Sequence, residues 1–287
     1  MSRARSRTLA IPAGAATLVF VRHGESTYVA EGRFQGRHDA LLSPLGERQA
    51  ALVAGRLAAR EQGVPLPLPI GPAAGVWHSP LRRAADTARA IATAQPDPPP
   101  LHPVEQLTEI AQGEWEGVAA ADVRARWPAE LAAWRAEPTR HHAPGGEPVL
   151  EAAARVRDGL GAIIEALLGS GSGAQAETPD AAAARASLRY EPVPGYPSPI
   201  RPAGEAPERW AVLVAHDGIF RLALMSLLDV PYERFWSFPF NLAAISVVSL
   251  SNGLATLRAH NLADHLAPLA IEERAAAEAR GDRRGAL

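Results

Sequence analysis

The sequence predicts an α/β fold: a three-layer sandwich with a mainly parallel central sheet flanked by helices. Three observations predict it. Two short β-rich apolar runs, 17–21 and 210–215, read as buried strands. Each delivers a histidine just beyond its carboxyl end, His23 and His216. Strand candidates then alternate with segments of helical apolar spacing, the pattern of sheets built from parallel strands. In such sheets a ligand sits beyond the carboxyl ends of the strands, so both histidines are expected to face one site.

Taken in order, residues 17–21 form the first strand, closed by Gly24. Ser43-Pro44 followed by Glu47, with Leu45, Ala51, Leu52 and Leu57 at helical spacing, reads as an N-capped helix that Gly63 and nearby prolines terminate. Residues 76–78 are a short strand candidate. It leads through Ser79-Pro80, read as cap and first position, into a helix carrying Leu81, Ala85, Ala88 and Ile91. A proline-rich connection over 96–103 precedes the Gly113-Glu-Trp-Glu-Gly117 turn, short helices around 119–127 and 129–136, and an amphipathic helix over 150–168.

From 169 to 209 Ala, Gly, Pro and Ser dominate and apolar periodicity fades, which reads as a loop, a lid or a partly disordered insertion. Residues 210–215 resume the sheet and a helix over 219–228 follows. The runs 245–250 and 254–259 about Ser251-Asn252-Gly253 read as a hairpin. The Arg- and Ala-rich end reads as a frayed helix or tail. One domain is expected over 1–287, with a core about 17–266, the low-complexity insertion at 169–209 and a polar C-terminal tail at 272–287.

Composition narrows the function. Lys+Arg 29 against Asp+Glu 31 gives a net charge of −2, so no molecule-wide cationic field attracts nucleic acid. All the basic residues are arginines, whose planar fork grips phosphate oxygens. The absence of cysteine removes disulfides, thiolate metal sites and thiol nucleophiles. No stretch approaches the roughly 18 apolar residues of a membrane span. The basic and apolar start faintly resembles a secretory signal, but Pro12 and Gly14 interrupt it and it runs into Arg22-His23-Gly24-Glu25, so a cytoplasmic protein is expected. His141-His142 lacks a third ligand at metal spacing and reads as an exposed loop pair.

Hydrolysis of a phosphate monoester needs cations for the dianion, a nucleophile for phosphorus and an acid for the leaving oxygen. Arg22-His23-Gly24-Glu25 places a permanent cation beside an imidazole and a glycine that admits a close anion. The signature continues through Arg33-Phe-Gln-Gly36, Asp39, Leu42-Ser43, Gly46 and Gln49-Ala50. Ser79-Pro-Leu-Arg-Arg-Ala84 with Thr87-Ala88, Glu109 with Gly113-Glu-Trp-Glu-Gly117, Pro144-Gly-Gly-Glu147 with Arg155, and Val214-Ala-His-Asp-Gly218 follow. In these motifs the chain resembles the histidine phosphatase superfamily, whose fold is phosphoglycerate mutase-like.

The resemblance implies His23 as a nucleophile that becomes phosphohistidine, Glu109 as acid and then base, and His216, Arg22 and Arg83 as ligands of the phosphoryl group. It implies no metal and no cofactor. The substrate class is a small phosphomonoester; neither nucleic acid nor membrane is a partner. Only Ile110-Ala-Gln112 separates Glu109 from Gly113, which resembles the phosphatase branch rather than a cofactor-dependent phosphoglycerate mutase. A non-catalytic phospholigand-binding module is the other alternative, and it would not need Glu109.

Two positions depart from the pattern. Val29 stands where many relatives have a donor Asn, and Gln35 is expected to supply the missing donor to phosphate. Asp217 replaces the usual Gly after His216 and is expected to N-cap the following helix, facing away from the anion. Glu25 is expected to pair with a nearby arginine. The Phe235 to Phe240 segment is expected to pack the sheet edge, and Trp115, Trp127 and Trp134 to lie in the core rather than line a cleft.

Overall fold

A computed structural model describes residues 9–12, 14–59, 65–169 and 209–272. The expected loop, lid or disordered character of the 169–209 insertion and the expected frayed tail lie outside the described residues, save for Gly169, Arg209 and Glu272.

The strands are β1 (Ala15–Arg22), β2 (Val76–His78), β3 (Leu101–Pro103), β4 (Arg209–Ala215), β5 (Ile245–Ser251) and β6 (Leu254–Leu262). They make one sheet in the order β3-β2-β4-β1-β5-β6. The first four are mutually parallel, whereas β5 runs antiparallel to β1 and closes that edge with β6 as a hairpin. The helices are α1 (Thr27–Ala30), α2 (Pro44–Ala58), α3 (Arg82–Ala94), α4 (Ala120–Arg126), α5 (Pro128–Ala136), α6 (Val149–Leu168) and α7 (Asp217–Leu227).

Strand alternation sorts the core into two layers. Leu18 and Phe20 of β1 and Leu213 of β4 meet Leu160 and Ile164 of α6 and Phe220 and Leu224 of α7. On the other face Val19, Val21, Val212 and Val214 meet Val53 and Leu57 of α2 and Ala88 and Ile91 of α3. Every one of these side chains is buried, each worth about 1.5–3 kcal/mol when Leu-, Ile-, Val- or Phe-sized. Burial on both faces is why the strands read as unbroken apolar runs. A small separate cluster, Trp115, Val123, Leu131 and Ala143, packs with Phe34 and Trp134.

Helix starts fix what emerges from the sheet. Ser43 caps α2 by accepting from Gly46 N at 3.0 Å, with Pro44 in the first turn, as the sequence predicts. Helix α3 departs from expectation: it starts at Arg82 and its cap residue, Leu81, makes no side-chain bond. Ser79 remains pinned to the sheet, its N–H donating to Val214 O at 2.9 Å, so it sits too early in the chain to cap. The exit of β1 is pinned similarly, His23 N donating to Ala215 O at 3.0 Å. Gly24 permits the next step, because a Cβ there would lie 2.4 Å from Gly46 O in the first turn of α2.

Candidate active site

The two strand-end histidines meet. Their ring centroids are 5.1 Å apart and both residues are almost fully buried. Nδ1 of His23 lies 2.6 Å from Gly24 O. A carbonyl only accepts, so that nitrogen carries the proton and Nε2 presents a lone pair. Arg83 Nε donates to this Nε2 at 3.3 Å. Burial, then the Arg83 and Arg22 charges, hold His23 well below the ordinary imidazole range, so the ring is neutral at pH 7.

Arg83, on α3, is fully buried, and one N–H from each terminal nitrogen donates to His38 O and Gly36 O, both at 2.8 Å, so three of its five N–H groups are engaged. Burial lowers its pKa to about 10, which leaves it a cation at neutral pH. Arg22 ends β1 and donates Nη1 to Phe240 O at 2.6 Å, while its Nε is buried without a partner. His216 Nε2 lies 2.8 Å from Ser79 Oγ, and its Nδ1 is also buried without a partner. Burial first, then Arg83, keeps His216 uncharged.

Glu109 Oε1 accepts from Ile110 N at 2.9 Å and Oε2 from Gly218 N at 3.4 Å. Burial is the main force raising its pKa; the Asp217 charge adds to it, against the Ile110 hydrogen bond and the arginines. The carboxyl thus holds its proton to higher pH than an exposed glutamate. Its segment is tied down from behind by Arg155, which grips Glu147 with two nitrogens at 2.7 and 2.8 Å. The same guanidinium donates to the carbonyls of Gln106, Thr108 and Glu109.

Arg22, His23, Arg83 and Glu109 line a cleft of about 300 Å³ together with Gln35, Asp217 and Gly218. His216 adjoins it through its contact with the His23 ring. Gln35 Oε1 is occupied by Ser26 Oγ at 2.6 Å, so what this side chain can offer an anion is its amide N–H. Val29, by contrast, is not among the lining residues.

Several expectations are corrected. Asp217 does not cap the helix: His216, in extended backbone geometry, is the N-cap, and Asp217 is already inside α7. Its carboxylate accepts from Phe240 N at 3.1 Å, pairs with Arg221 at 3.0 Å and lines the cleft instead of turning from it. Glu25 accepts from Ser43 Oγ at 2.6 Å, where an arginine partner is expected. Trp115 is core, but Trp134 lines the cleft with Phe34, Phe235 and Trp236. His141 and His142 are exposed, and among the described residues no cluster of metal-ligating side chains occurs. Sequence reasoning missed Ser79 as the partner of His216; the signal was its position one residue past a strand, beside the strand that carries His216.

Comparison with known proteins gives the family. The family model described as histidine phosphatase superfamily (branch 1) matches residues 18–171 and 200–263. The chain is 26% identical over 260 residues to phosphoserine phosphatase 1 of Hydrogenobacter thermophilus, covering 89% of this chain and 96% of that protein. It is 31% identical over 219 residues to glucosyl-3-phosphoglycerate phosphatase of Mycobacterium tuberculosis, covering 76% and 78% respectively. A solved structure of mycobacterial glucosyl-3-phosphoglycerate phosphatase with VO3 superposes with a TM-score of 0.61 at 26% identity, over 86% of this chain and 100% of that one. Bacillus stearothermophilus YhfR shares the fold, with a TM-score of 0.65 at 20% identity over 88% of this chain and 99% of its own. No helix of the described residues is long and apolar enough to cross a membrane. With the paired histidines, the buried arginines and the family match in agreement, the chain belongs to branch 1 of the histidine phosphatase superfamily and is one of its phosphatases.

Proposed function

We propose that the protein is a single-domain phosphomonoesterase that hydrolyses a small phosphorylated metabolite through a phosphohistidine on His23, without a metal ion. The observation that supports this most directly is the lone pair on His23 Nε2, with one guanidinium donating to it and a second lining the same cleft. Nε2 attacks phosphorus, the P–N bond forming as the P–O bond to the leaving group breaks. Glu109, whose carboxyl burial pushes above the ordinary glutamate value, gives its proton to the departing oxygen. Water then attacks the phosphohistidine and yields a proton to Glu109 as the P–N bond breaks, which releases phosphate and restores both groups.

Arg22, Arg83 and the Gln35 amide hold the phosphoryl oxygens, supplying charge stabilisation that other phosphatases draw from metal ions. Ser79 Oγ lies 2.8 Å from His216 Nε2, and the tautomer in which this hydroxyl donates keeps the proton on Nδ1 and makes His216 one more donor. The names of the relatives, phosphoserine phosphatase and glucosyl-3-phosphoglycerate phosphatase, support a small phosphomonoester as the substrate class.

The test is trapping with a phosphate-labelled monoester and an alkaline quench, because a phosphohistidine survives base and not acid. Label on residue 23, with activity about a thousandfold lower in His23→Ala, is the expected result. Label elsewhere, loss of turnover with chelator, or transfer between 2- and 3-phosphoglycerate outpacing phosphate release would overturn it.

A further inference from the structure

The cleft has two unlike ends. At the reactive end stand Arg22 and Arg83, the only cations among its described lining residues. The rest of the wall carries Phe34, Trp134, Phe235 and Trp236. Trp236 is 42% exposed, more than any other large aromatic side chain of the described residues, yet it is held in place. Its Nε1 donates to Arg135 O at 3.0 Å, its ring meets Trp134 edge-on at 5.0 Å, and the Arg221 guanidinium lies 5.2 Å from its centroid. An aromatic face kept in water and fixed from several sides is a platform rather than a core residue.

The electrostatics of that wall exclude a second anion. With both cations engaged by the phosphoryl group, a carboxylate on the leaving group would meet the Asp217 carboxylate, whose partner Arg221 is buried and already paired with it. Bringing a carboxylate there forfeits its hydration without an ion partner.

We infer that the alcohol released by this enzyme is an uncharged, ring-bearing one whose ring packs against Trp236 and Trp134. This rests on the phosphatase reading for the direction in which the leaving group points, and it departs from the carboxylate-bearing substrates named in the relatives.

The experiment compares 2-phenylethyl phosphate, glucose 6-phosphate, ethyl phosphate, phosphoserine and 3-phosphoglycerate. All lose alkoxides, so the comparison reads the wall more than the chemistry. A ring-bearing ester is expected to exceed ethyl phosphate and both carboxylates in kcat/KM by about tenfold or more. The ratio of 2-phenylethyl to ethyl phosphate should fall about tenfold in Trp236→Ala and recover in Trp236→Phe. Equal or better use of phosphoserine or 3-phosphoglycerate, or an unchanged ratio in Trp236→Ala, overturns the inference and leaves the phosphatase reading standing. Calorimetric titration with 3-phenylpropylphosphonate against propylphosphonate separates the two ideas. Ring-selective binding without turnover of any ester sustains the wall and sinks the phosphatase, whereas equal binding of the two phosphonates sinks the wall.

Discussion

Replacing Arg155 by Met keeps the aliphatic stem and removes the guanidinium that braces the Glu109 segment. Five hydrogen bonds go: two to Glu147 and one each to the carbonyls of Gln106, Thr108 and Glu109. The ion pair is largely sheltered, with 19% and 12% of the two side chains exposed, so Glu147 would be left mostly buried with Arg37 and the Ala111 amide to face its charge. Breaking a buried pair from one side costs about 3–5 kcal/mol, and partial exposure places this case near the lower end. The urea midpoint should therefore fall by about 1 M or more. A parallel effect is expected in catalysis. Displacement of Glu109 by about 1 Å costs on the order of a hundredfold in kcat, while KM changes little because Arg22 and Arg83 stand on other elements.

The pH dependence gives a second reading of the same variant. Burial pushes the Glu147 carboxyl up, but the Arg155 hydrogen bond and charge, aided by Arg37 and the Ala111 amide, outweigh it and hold it below its ordinary value. A carboxyl depressed on folding stabilises the protein above its unfolded pKa, and that contribution is lost as pH falls through the folded value. Wild type should lose stability in this way below about pH 4.5, and Arg155→Met should show a shallower slope there. Unchanged midpoint and slope would refute the bracing argument. Lower stability with intact kcat would show that the pair holds the fold without holding Glu109.

Other outcomes follow from the same coordinates. The kcat/KM profile should rise with deprotonation of His23 well below pH 6.5 and fall as Glu109 ionises above pH 4.5; an acidic limb at or above 6.5 would contradict the burial of His23. Gly218→Ala places a Cβ 2.7 Å from Glu109 Oε1 and 2.9 Å from Ile110 Cδ1, so kcat should drop about tenfold or more, as steady-state kinetics will show. Asp217→Asn keeps an acceptor for Phe240 N and removes the charge that raises Glu109, so the alkaline limb of the profile should move to lower pH; an upward move would be inconsistent. Gln35→Ala should raise the inhibition constant of inorganic phosphate by up to about tenfold, and an unaltered constant would remove Gln35 from the phosphate site.

Most of the sheet was legible because β1 and β4 are buried on both faces, and an unbroken apolar run is the form such strands take. The meeting of the two histidines was legible for a related reason: parallel neighbouring strands deliver their terminal residues to one edge of the sheet, so His23, His216 and Arg22 came with the strands. Asp217 was misread because Asp is a good cap by propensity, yet the extended residue before the helix is His216, which follows directly on the last paired residue of β4. Ser79 was misread by the same local rule; its N–H is committed to Val214 across the sheet. The aromatic wall was invisible in advance because Trp134 and Trp236 lie about a hundred residues apart and meet only through the packing of α5 on the 3-10 turn Tyr232–Ser237.

The spacing of the two histidines is set by neighbouring strands in fixed register, Arg22 opposite Ala215, whereas the aromatic platform is borne by α5 and a peripheral turn. Reaction chemistry and substrate choice are therefore inherited on separate scaffolds. Mutation can redraw the platform, and with it the choice of alcohol, while the sheet keeps phosphorus and imidazole in attacking distance.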